Sequence, residues 1–183
     1  MRIADLDILI VPGWTNSGPE HWQSRWQGGM ATARRVDMGD WENPVQHTWV
    51  EALLAAVSDA RRPSLLVAHS LGVLAVVHAA SRLPPGKVVG AFLVAAPDLE
   101  QEQRPPEIDP AFVPIPMSAL PFPSVLVHSN SDPYCTVPRA LAFAAAWGAE
   151  TADAGDAGHI NSASGHGPWP EGLMRLAGFL KTL

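Results

Sequence analysis

Residues 64–80 read SLLVAHSLGVLAVVHAA, and this stretch decides the fold. Its first part, residues 64–68, is a short apolar run of the kind that forms a buried parallel strand. Its last part, residues 73–80, is apolar nearly all round, which predicts a buried helix. Ser70 stands between them, with the small residues Ala68 and Gly72 on either side. A strand, a sharp turn carrying a serine and a helix together predict a nucleophile elbow, although Ala68 replaces its usual first glycine.

Short apolar runs and helical patterns alternate along the rest of the chain. This alternation predicts an α/β fold, a three-layer α/β/α sandwich with a mostly parallel sheet of about six strands. We expect it to form one domain over residues 1–183, because this length can bury a single sizeable core. The strands are expected at residues 7–11, 33–37, 64–68, 88–95, 124–128 and 150–153.

One helix has a specific predicted start. Asn43 is followed by Pro44, which is the order expected of an N-cap and a first helical position. Val45, Trp49 and Leu53 then recur at helical spacing. The sequence therefore predicts a helix that begins at Pro44 and is capped by Asn43.

The composition excludes several classes of protein. The formal net charge is −6 and there is no basic stripe, so we expect no nucleic-acid partner. The single cysteine, Cys135, cannot form a disulfide within the chain. No apolar run reaches membrane-spanning length, and the N-terminal region does not resemble a signal peptide, so we expect a cytoplasmic protein without membrane contact. Acids are not clustered near the late histidines at ligand spacing, and we expect neither a metal nor a cofactor.

A serine hydroxyl becomes a useful nucleophile only when a base takes its proton. In this kind of fold the chain order is serine, acid, histidine. His159 follows the last expected strand and precedes the last helix, which makes it the best candidate for the base. His166, in a glycine-rich loop a few residues further on, is the one serious rival.

A carboxylate must orient the imidazole and stabilise its protonated form. Asp132 follows the strand at residues 124–128 and is our candidate for this role. Asp98, which ends the preceding strand, is the runner-up, whereas Asp153 and Asp156 stand too close to His159 in sequence. The nucleophile, acid and base are therefore predicted to be Ser70, Asp132 and His159.

Two backbone N–H groups are expected to stabilise the oxyanion of the reaction. One belongs to the residue after the nucleophile, Leu71, and the other comes from the loop after the first strand. We assign the second donor to Trp14 within residues 12–16. Three further residues are candidates for lining the substrate pocket: Trp41, Asn161 and Trp169.

Residues 97–123 contain eight prolines and no convincing periodicity. Proline removes donors and fixes φ, so we expect an irregular surface excursion. A loop of this length in a compact domain is usually functional or disordered. Because it joins two expected strands on the side where strands end, it is predicted to cover or border the active site.

Several motifs together resemble the small serine hydrolases related to retinoblastoma-binding protein 9 and the YdeN-like bacterial proteins. The resemblance extends over almost the whole length of the chain and rests on these motifs: Val11–Trp14, His21–Trp22 with Trp26, His69–Gly72, Leu120–Pro123, Ser131–Tyr134, Gly158–Asn161 and Gly165–Pro170. The resemblance implies a compact α/β-hydrolase without a large cap domain. It also implies that the triad falls on Ser70, Asp132 and His159.

These expectations lead to one main functional hypothesis and one alternative. The main hypothesis is a carboxylesterase-like serine hydrolase that cleaves small ester, thioester or amide substrates through an acyl-enzyme. Its partner would be a small-molecule acyl substrate. The alternative is a protein-interaction module on a hydrolase scaffold with little or no turnover, since a fold does not guarantee activity.

Overall fold

The computed structural model describes residues 1–101 and 105–183, and its centre is one parallel six-stranded sheet. The strands lie side by side in the order β2-β1-β3-β4-β5-β6, and each neighbouring pair is parallel. Their bounds are β1 Asp7–Val11, β2 Ala33–Arg35, β3 Ser64–His69, β4 Val88–Val94, β5 Ser124–His128 and β6 Glu150–Asp153. The predicted sheet is therefore confirmed.

Helices cover both faces of this sheet. Within the described residues they are α1 Trp22–Gly29, α2 Gln46–Ser58, α3 Leu71–Ala79, α4 Val137–Trp147 and α5 Pro170–Leu180. Side chains of α1 and α5 pack on one face, and those of α2, α3 and α4 pack on the other. Because successive strand residues point to opposite faces, Leu93 enters the α2–α4 core while Val94 enters the α1–α5 core. This is the predicted three-layer α/β/α sandwich.

The proline-rich connection between β4 and β5 is less superficial than the sequence predicted. Phe112 and Ile115 are buried in the α2–α4 core, and the ring centroid of Phe112 lies 6.0 Å from that of Trp49. His78 Nε2 donates to the Phe112 carbonyl oxygen at 3.0 Å. The segment is irregular, as expected, but its apolar side chains make it part of the core. Residues 102–104 of the predicted excursion lie outside the described residues.

The predicted cap of α2 is wrong. The helix begins at Gln46, whose N–H donates to Asp109 Oδ2 at 2.9 Å. Asn43 instead donates its backbone N–H to Asp40 Oδ1 in the preceding loop. A remote side chain thus takes the capping role that local sequence assigned to a neighbour.

None of the helices in residues 1–101 and 105–183 is both long enough and apolar enough to cross a membrane.

Candidate active site

The turn at Ser70 is formed by close backbone contacts at the carboxyl edge of the sheet. Ser70 has φ 53° and ψ −128°, a conformation that an L-residue adopts only under constraint. A Cβ atom on Gly72 would lie 2.4 Å from the Val11 carbonyl oxygen, and one on Gly13 would lie 2.7 Å from Ser70 Cβ. Two glycines therefore let the β1 loop and the start of α3 approach each other around the serine.

A continuous hydrogen-bond chain starts at this serine. Ser70 Oγ lies 2.8 Å from His159 Nε2, and His159 Nδ1 lies 3.0 Å from each carboxylate oxygen of Asp132. The side chains of His159 and Asp132 are only 9% and 3% exposed. With its Nδ1–H donated to the carboxylate, the neutral imidazole presents Nε2 as an acceptor toward the hydroxyl. The structure thus brings together the three residues predicted as nucleophile, base and acid.

The alternative candidates for the base and the acid, His166, Asp98 and Asp153, contact other side chains or backbone groups. His166 Nδ1 is 3.2 Å from Ser164 Oγ, and the ring borders a separate small cavity beside Arg175. Asp98 lies 3.4 Å from Arg139. Asp153 accepts the Gly155 N–H.

The loop that carries His159 is held by four side chains, which come from β3, from α1 and from the loop after β5. Ser129 Oγ accepts the Ala157 N–H, and Ser131 Oγ accepts the Gly158 N–H, both at 2.9 Å. Trp22 Nε1–H donates to the Ile160 carbonyl oxygen, and His69 Nε2–H donates to that of His159, again both at 2.9 Å. Sequence reasoning missed all four positioning residues. The only local signal was that Ser129 and Ser131 stand beside Asp132.

Two more histidine rings pack behind His159. The His69 centroid lies 5.0 Å from that of His159, and the His21 centroid lies 4.8 Å from that of His69. Burial lowers the pKa of His69 well below its usual value of 6.5, with the neighbouring His159 and His21 adding to the effect. Burial, followed by the Arg35 guanidinium, lowers the pKa of His21 to about 4. Both rings are therefore neutral at neutral pH and add no positive charge beside His159.

The backbone N–H groups of Leu71 and Trp14, which the sequence predicted as oxyanion donors, make no hydrogen bond within the described residues. Leu71 is the first residue of α3, where an N–H has no partner within the helix. The Trp14 N–H donates to no group in the described part of the chain. Its loop is fixed on either side: Thr15 N–H donates to the Trp41 carbonyl oxygen, and Trp14 Nε1–H donates to that of Glu42, both at 2.9 Å.

Two cavities meet at Ser70 and His159. One, of about 190 Å³, is lined mainly by polar groups and is called the polar cavity here. Its other lining residues are Trp14, Thr15, Asn16, Gly18, His21, His69, Asn161, Ser162 and Ala163. The other, of about 240 Å³, is the apolar cavity. It adds Leu71, Pro97, Leu99, Pro105, Ile108 and Tyr134 to Trp14, Thr15 and Asn161. The predicted excursion therefore borders the site.

Two of the three predicted pocket residues lie elsewhere. Asn161 borders both cavities, whereas neither cavity is bordered by Trp41 or Trp169. Trp169 is 4% exposed and stacks on Trp26 in the α1–α5 core, with an interplanar angle of 9°. Trp41 packs edge-on against Trp49 with ring centroids 5.6 Å apart. The large apolar rings of both residues are used for packing. Trp41 contributes to the site through its backbone carbonyl oxygen, which accepts the Thr15 N–H.

The environment of the one cysteine disfavours its thiolate form. Cys135 is 5% exposed. Burial, followed by the charges of Asp132 and Asp98, raises its pKa to about 12. A thiol with this pKa is not ionised at neutral pH, and the thiolate is the reactive form.

Among the residues that the structure describes, no group of three His, Cys, Asp or Glu side chains is placed to hold a metal ion.

With this geometry established, comparison with known proteins gives the family. A sequence profile described as serine hydrolase matches residues 8–178. The chain belongs to the serine hydrolase family. A YdeN-like hydrolase from Pectobacterium atrosepticum is 34% identical over 98% of this hydrolase and 92% of its own chain, with a TM-score of 0.85. No match is found among curated proteins.

More distant structures share the fold of this hydrolase. The ydeN gene product of B. subtilis is 17% identical and has a TM-score of 0.73, covering 95% of this chain and 98% of that one. The esterase domain of a Rhodothermus marinus protein is 18% identical with a TM-score of 0.65, covering 94% and 85%. The resemblance to YdeN-like proteins and the α/β-hydrolase fold are thus confirmed, while the relation to retinoblastoma-binding protein 9 stays a prediction.

Proposed function

We propose that this hydrolase is a carboxylesterase that cleaves small esters, thioesters or amides through an acyl-enzyme on Ser70. The observation that carries the proposal is the hydrogen-bond chain from Ser70 Oγ through His159 to the Asp132 carboxylate. A nucleophile and base within 2.8 Å, with the base oriented by a third group, have the geometry that nucleophilic catalysis requires.

In the proposed reaction Ser70 Oγ bonds to the substrate carbonyl carbon while His159 Nε2 takes the hydroxyl proton. The carbonyl electron pair moves onto oxygen, where the Leu71 and Trp14 N–H groups stabilise the negative charge. The intermediate then collapses, the bond to the leaving group breaks, and His159 returns the proton to the leaving oxygen, sulfur or nitrogen. A water molecule, deprotonated by His159, attacks the acyl-enzyme in the same way and releases the acid.

The size and lining of the apolar cavity suggest what the acyl group is. Its volume of about 240 Å³ lies below the range of roughly 300–1,000 Å³ that is typical of drug-sized ligands. Leu99, Ile108 and Pro97 are among the apolar residues that line it. We therefore expect short, uncharged acyl groups to be preferred over long or ionised ones.

A fluorophosphonate probe tests the proposal, because it reacts with an activated serine in a folded enzyme. We expect the wild-type protein to be labelled, Ser70→Ala to lose labelling, and Ser58→Ala, which alters an exposed serine at the end of α2, to keep it. Hydrolysis of p-nitrophenyl esters should fall as the acyl chain lengthens. A folded wild type that is neither labelled nor active would contradict the proposal and favour a protein-interaction module.

A further inference from the structure

Of the two cavities that meet at Ser70, one is lined mainly by polar groups and the other by apolar residues. This difference indicates which cavity binds the acyl group of a substrate and which binds its leaving group. Resting on the proposed acyl-transfer function, we propose that the polar cavity binds the leaving group and selects one that carries a carbonyl-type hydrogen-bond acceptor. The acyl chain then occupies the apolar cavity. Three polar residues support this assignment, Asn16, Asn161 and His21, and the hydrogen-bonding role of each is fixed by its neighbours.

The amide of Asn16 has its oxygen already engaged. Asn16 Oδ1 accepts from the Ser17 N–H at 2.7 Å and from Arg35 Nη1 at 2.6 Å. Both partners are obligate donors, so the orientation of the amide is determined and Nδ2 is its other end. Within the described residues this NH2 group finds no partner, although Asn16 lines the polar cavity. It is available as a donor to a ligand.

Asn161, two residues after His159, repeats this arrangement. Its Oδ1 accepts the Ser164 N–H at 3.0 Å and thereby caps the short helix Ser162–Ser164. The cap fixes the amide orientation by the same reasoning. The NH2 group again has no partner in residues 1–101 and 105–183, and Asn161 lines the cavity two residues after His159. Two residues that border the polar cavity therefore carry an amide NH2 group without a partner, and one of them, Asn161, also borders the apolar cavity.

His21 supplies a third donor. Its Nδ1 accepts the Gln23 N–H at 3.1 Å, which leaves the proton of the neutral ring on Nε2. The ring lines the polar cavity beside His69. His69 itself is not available, because its Nε2–H is donated to the His159 carbonyl oxygen. Three donors thus come from three separate segments of the chain.

The charges near this cavity point the same way. The described residues that line it include no carboxylate. The Arg35 guanidinium is bonded to Asn16 Oδ1, which polarises the amide and adds positive potential behind it. A set of donors backed by a cation favours an acceptor oxygen in the ligand and disfavours an ammonium group. The leaving group must also reach His159 for protonation, and the polar cavity meets this requirement because His159 borders it, as it borders the apolar cavity.

Three butyrate esters that differ only in the leaving alcohol test the inference. The carbamoylethyl ester carries a neutral carbonyl acceptor, the carboxyethyl ester carries an anionic one, and the isopentyl ester replaces both with a hydrocarbon of similar shape. With two to three additional hydrogen bonds, kcat/KM should be at least about tenfold higher for the carbamoylethyl ester than for the isopentyl ester. Comparison of the first two esters shows whether the acceptor is an amide-like or a carboxylate oxygen.

Two nearly isosteric variants identify the donors. Asn16→Asp and Asn161→Asp keep the acceptor that binds Arg35 or caps Ser164, but they remove the NH2 group. In each variant the ratio of kcat/KM for the carbamoylethyl and isopentyl esters should fall by about tenfold. Because the ratio is taken within one variant, any change at His159 affects both esters and cancels. Asn43→Asp makes the same change at an exposed position next to Asp40 and should leave the ratio unaltered.

The outcomes separate the inference from the proposed function. If all three esters are hydrolysed at equal rates, and neither Asn16→Asp nor Asn161→Asp changes the ratio, the leaving-group assignment is wrong although the enzyme stands. If no ester is cleaved and Ser70 is not labelled by the fluorophosphonate, both are overturned.

Discussion

The nucleophile turn and the base loop are built in opposite ways. The turn at residues 68–72 is fixed by backbone contacts, with glycines at positions 13 and 72 where any Cβ would clash. The loop at residues 154–161 is fixed by side chains that reach it from β3, α1 and the loop after β5. The turn geometry therefore depends on the sequence at the turn and at the β1 loop, and the base geometry depends on residues far along the chain.

This difference predicts different consequences of mutation. A change in the turn disturbs packing of backbone against backbone, which cannot relax, and should first cost stability. A change around the base removes single hydrogen bonds and should first cost turnover. Three variants, at Asp132, Gly72 and His69, test this distinction, and a fourth, at His21, tests how stability near the base depends on pH; they are taken from the largest expected effect to the smallest.

The largest effect is expected from Asp132→Asn. The amide would no longer hold the proton on His159 Nδ1, and it would not stabilise the imidazolium. We expect kcat for a short p-nitrophenyl ester to fall by about 10⁴-fold while the thermal midpoint changes little. Asp156→Asn removes an exposed carboxylate from the same loop as His159 and should retain full turnover. Turnover near the wild-type level in Asp132→Asn would remove the acid from the mechanism.

In the turn, Gly72→Ala should act on stability. Its Cβ would lie 2.4 Å and 2.5 Å from the carbonyl oxygens of Val11 and Pro12, which belong to backbone that cannot move independently. We expect a loss of about 3 kcal/mol or more in the free energy of unfolding, measured by urea denaturation. Gly178→Ala places the same methyl group in open space on α5 and should be neutral or stabilising. Equal denaturation midpoints for the two variants would show that the turn is not fixed by these contacts.

The turn at Ser70 could be predicted from sequence more completely than the contacts that hold the loop at His159. The placement of Ser70 and Leu71 between a strand and a helix could be predicted because the three elements are adjacent in sequence. Asp132 and His159 could be found because chain order in a parallel sheet determines which loops meet at one edge. The positioning role of Trp22 could not be found, because its partner, Ile160, is 138 residues away.

The errors have the same physical origin. Trp169 stands in a loop by sequence, yet its ring fills the core between α1 and α5. The predicted cap Asn43 lost its role to Asp109, which approaches α2 only because the excursion folds back over the α2–α4 core. Local pattern can predict an element, but it cannot show which distant side chain will satisfy the polar groups at its end.

The histidines behind the base loop should make stability depend on pH. The pKa of His21 is about 4 in the folded protein and about 6.5 when unfolded, so the unfolded chain binds the proton first as pH falls. Stability is therefore full above pH 6.5 and decreases toward pH 4, by about 3 kcal/mol from this residue. His21→Asn keeps an acceptor for the Gln23 N–H and removes the titrating ring.

Urea denaturation at a series of pH values measures this contribution. Between pH 4 and pH 6.5 the slope of unfolding free energy against pH should be lower in His21→Asn than in the wild type, by up to about 1.4 kcal/mol per pH unit. His69 still titrates in the variant, so part of the slope remains. His47→Asn, at a residue whose side chain is 78% exposed, should retain the wild-type slope. Indistinguishable slopes in the wild type and His21→Asn would contradict the assignment.

The smallest effect is expected at His69, which belongs to both regions: it ends β3 before the nucleophile, and its ring supports the base loop. His69→Phe leaves the His159 carbonyl without its donor, and we expect kcat to fall by about tenfold with little change in KM. His69→Gln restores a donor and should recover most of this loss. His78→Phe removes an equivalent bond, to the Phe112 carbonyl, and should lower stability without changing kcat. If His69→Phe lowers stability and leaves kcat unchanged, as expected of His78→Phe, the two regions are independent. If kcat falls in His69→Phe and is restored in His69→Gln, the strand that places the nucleophile also positions the base.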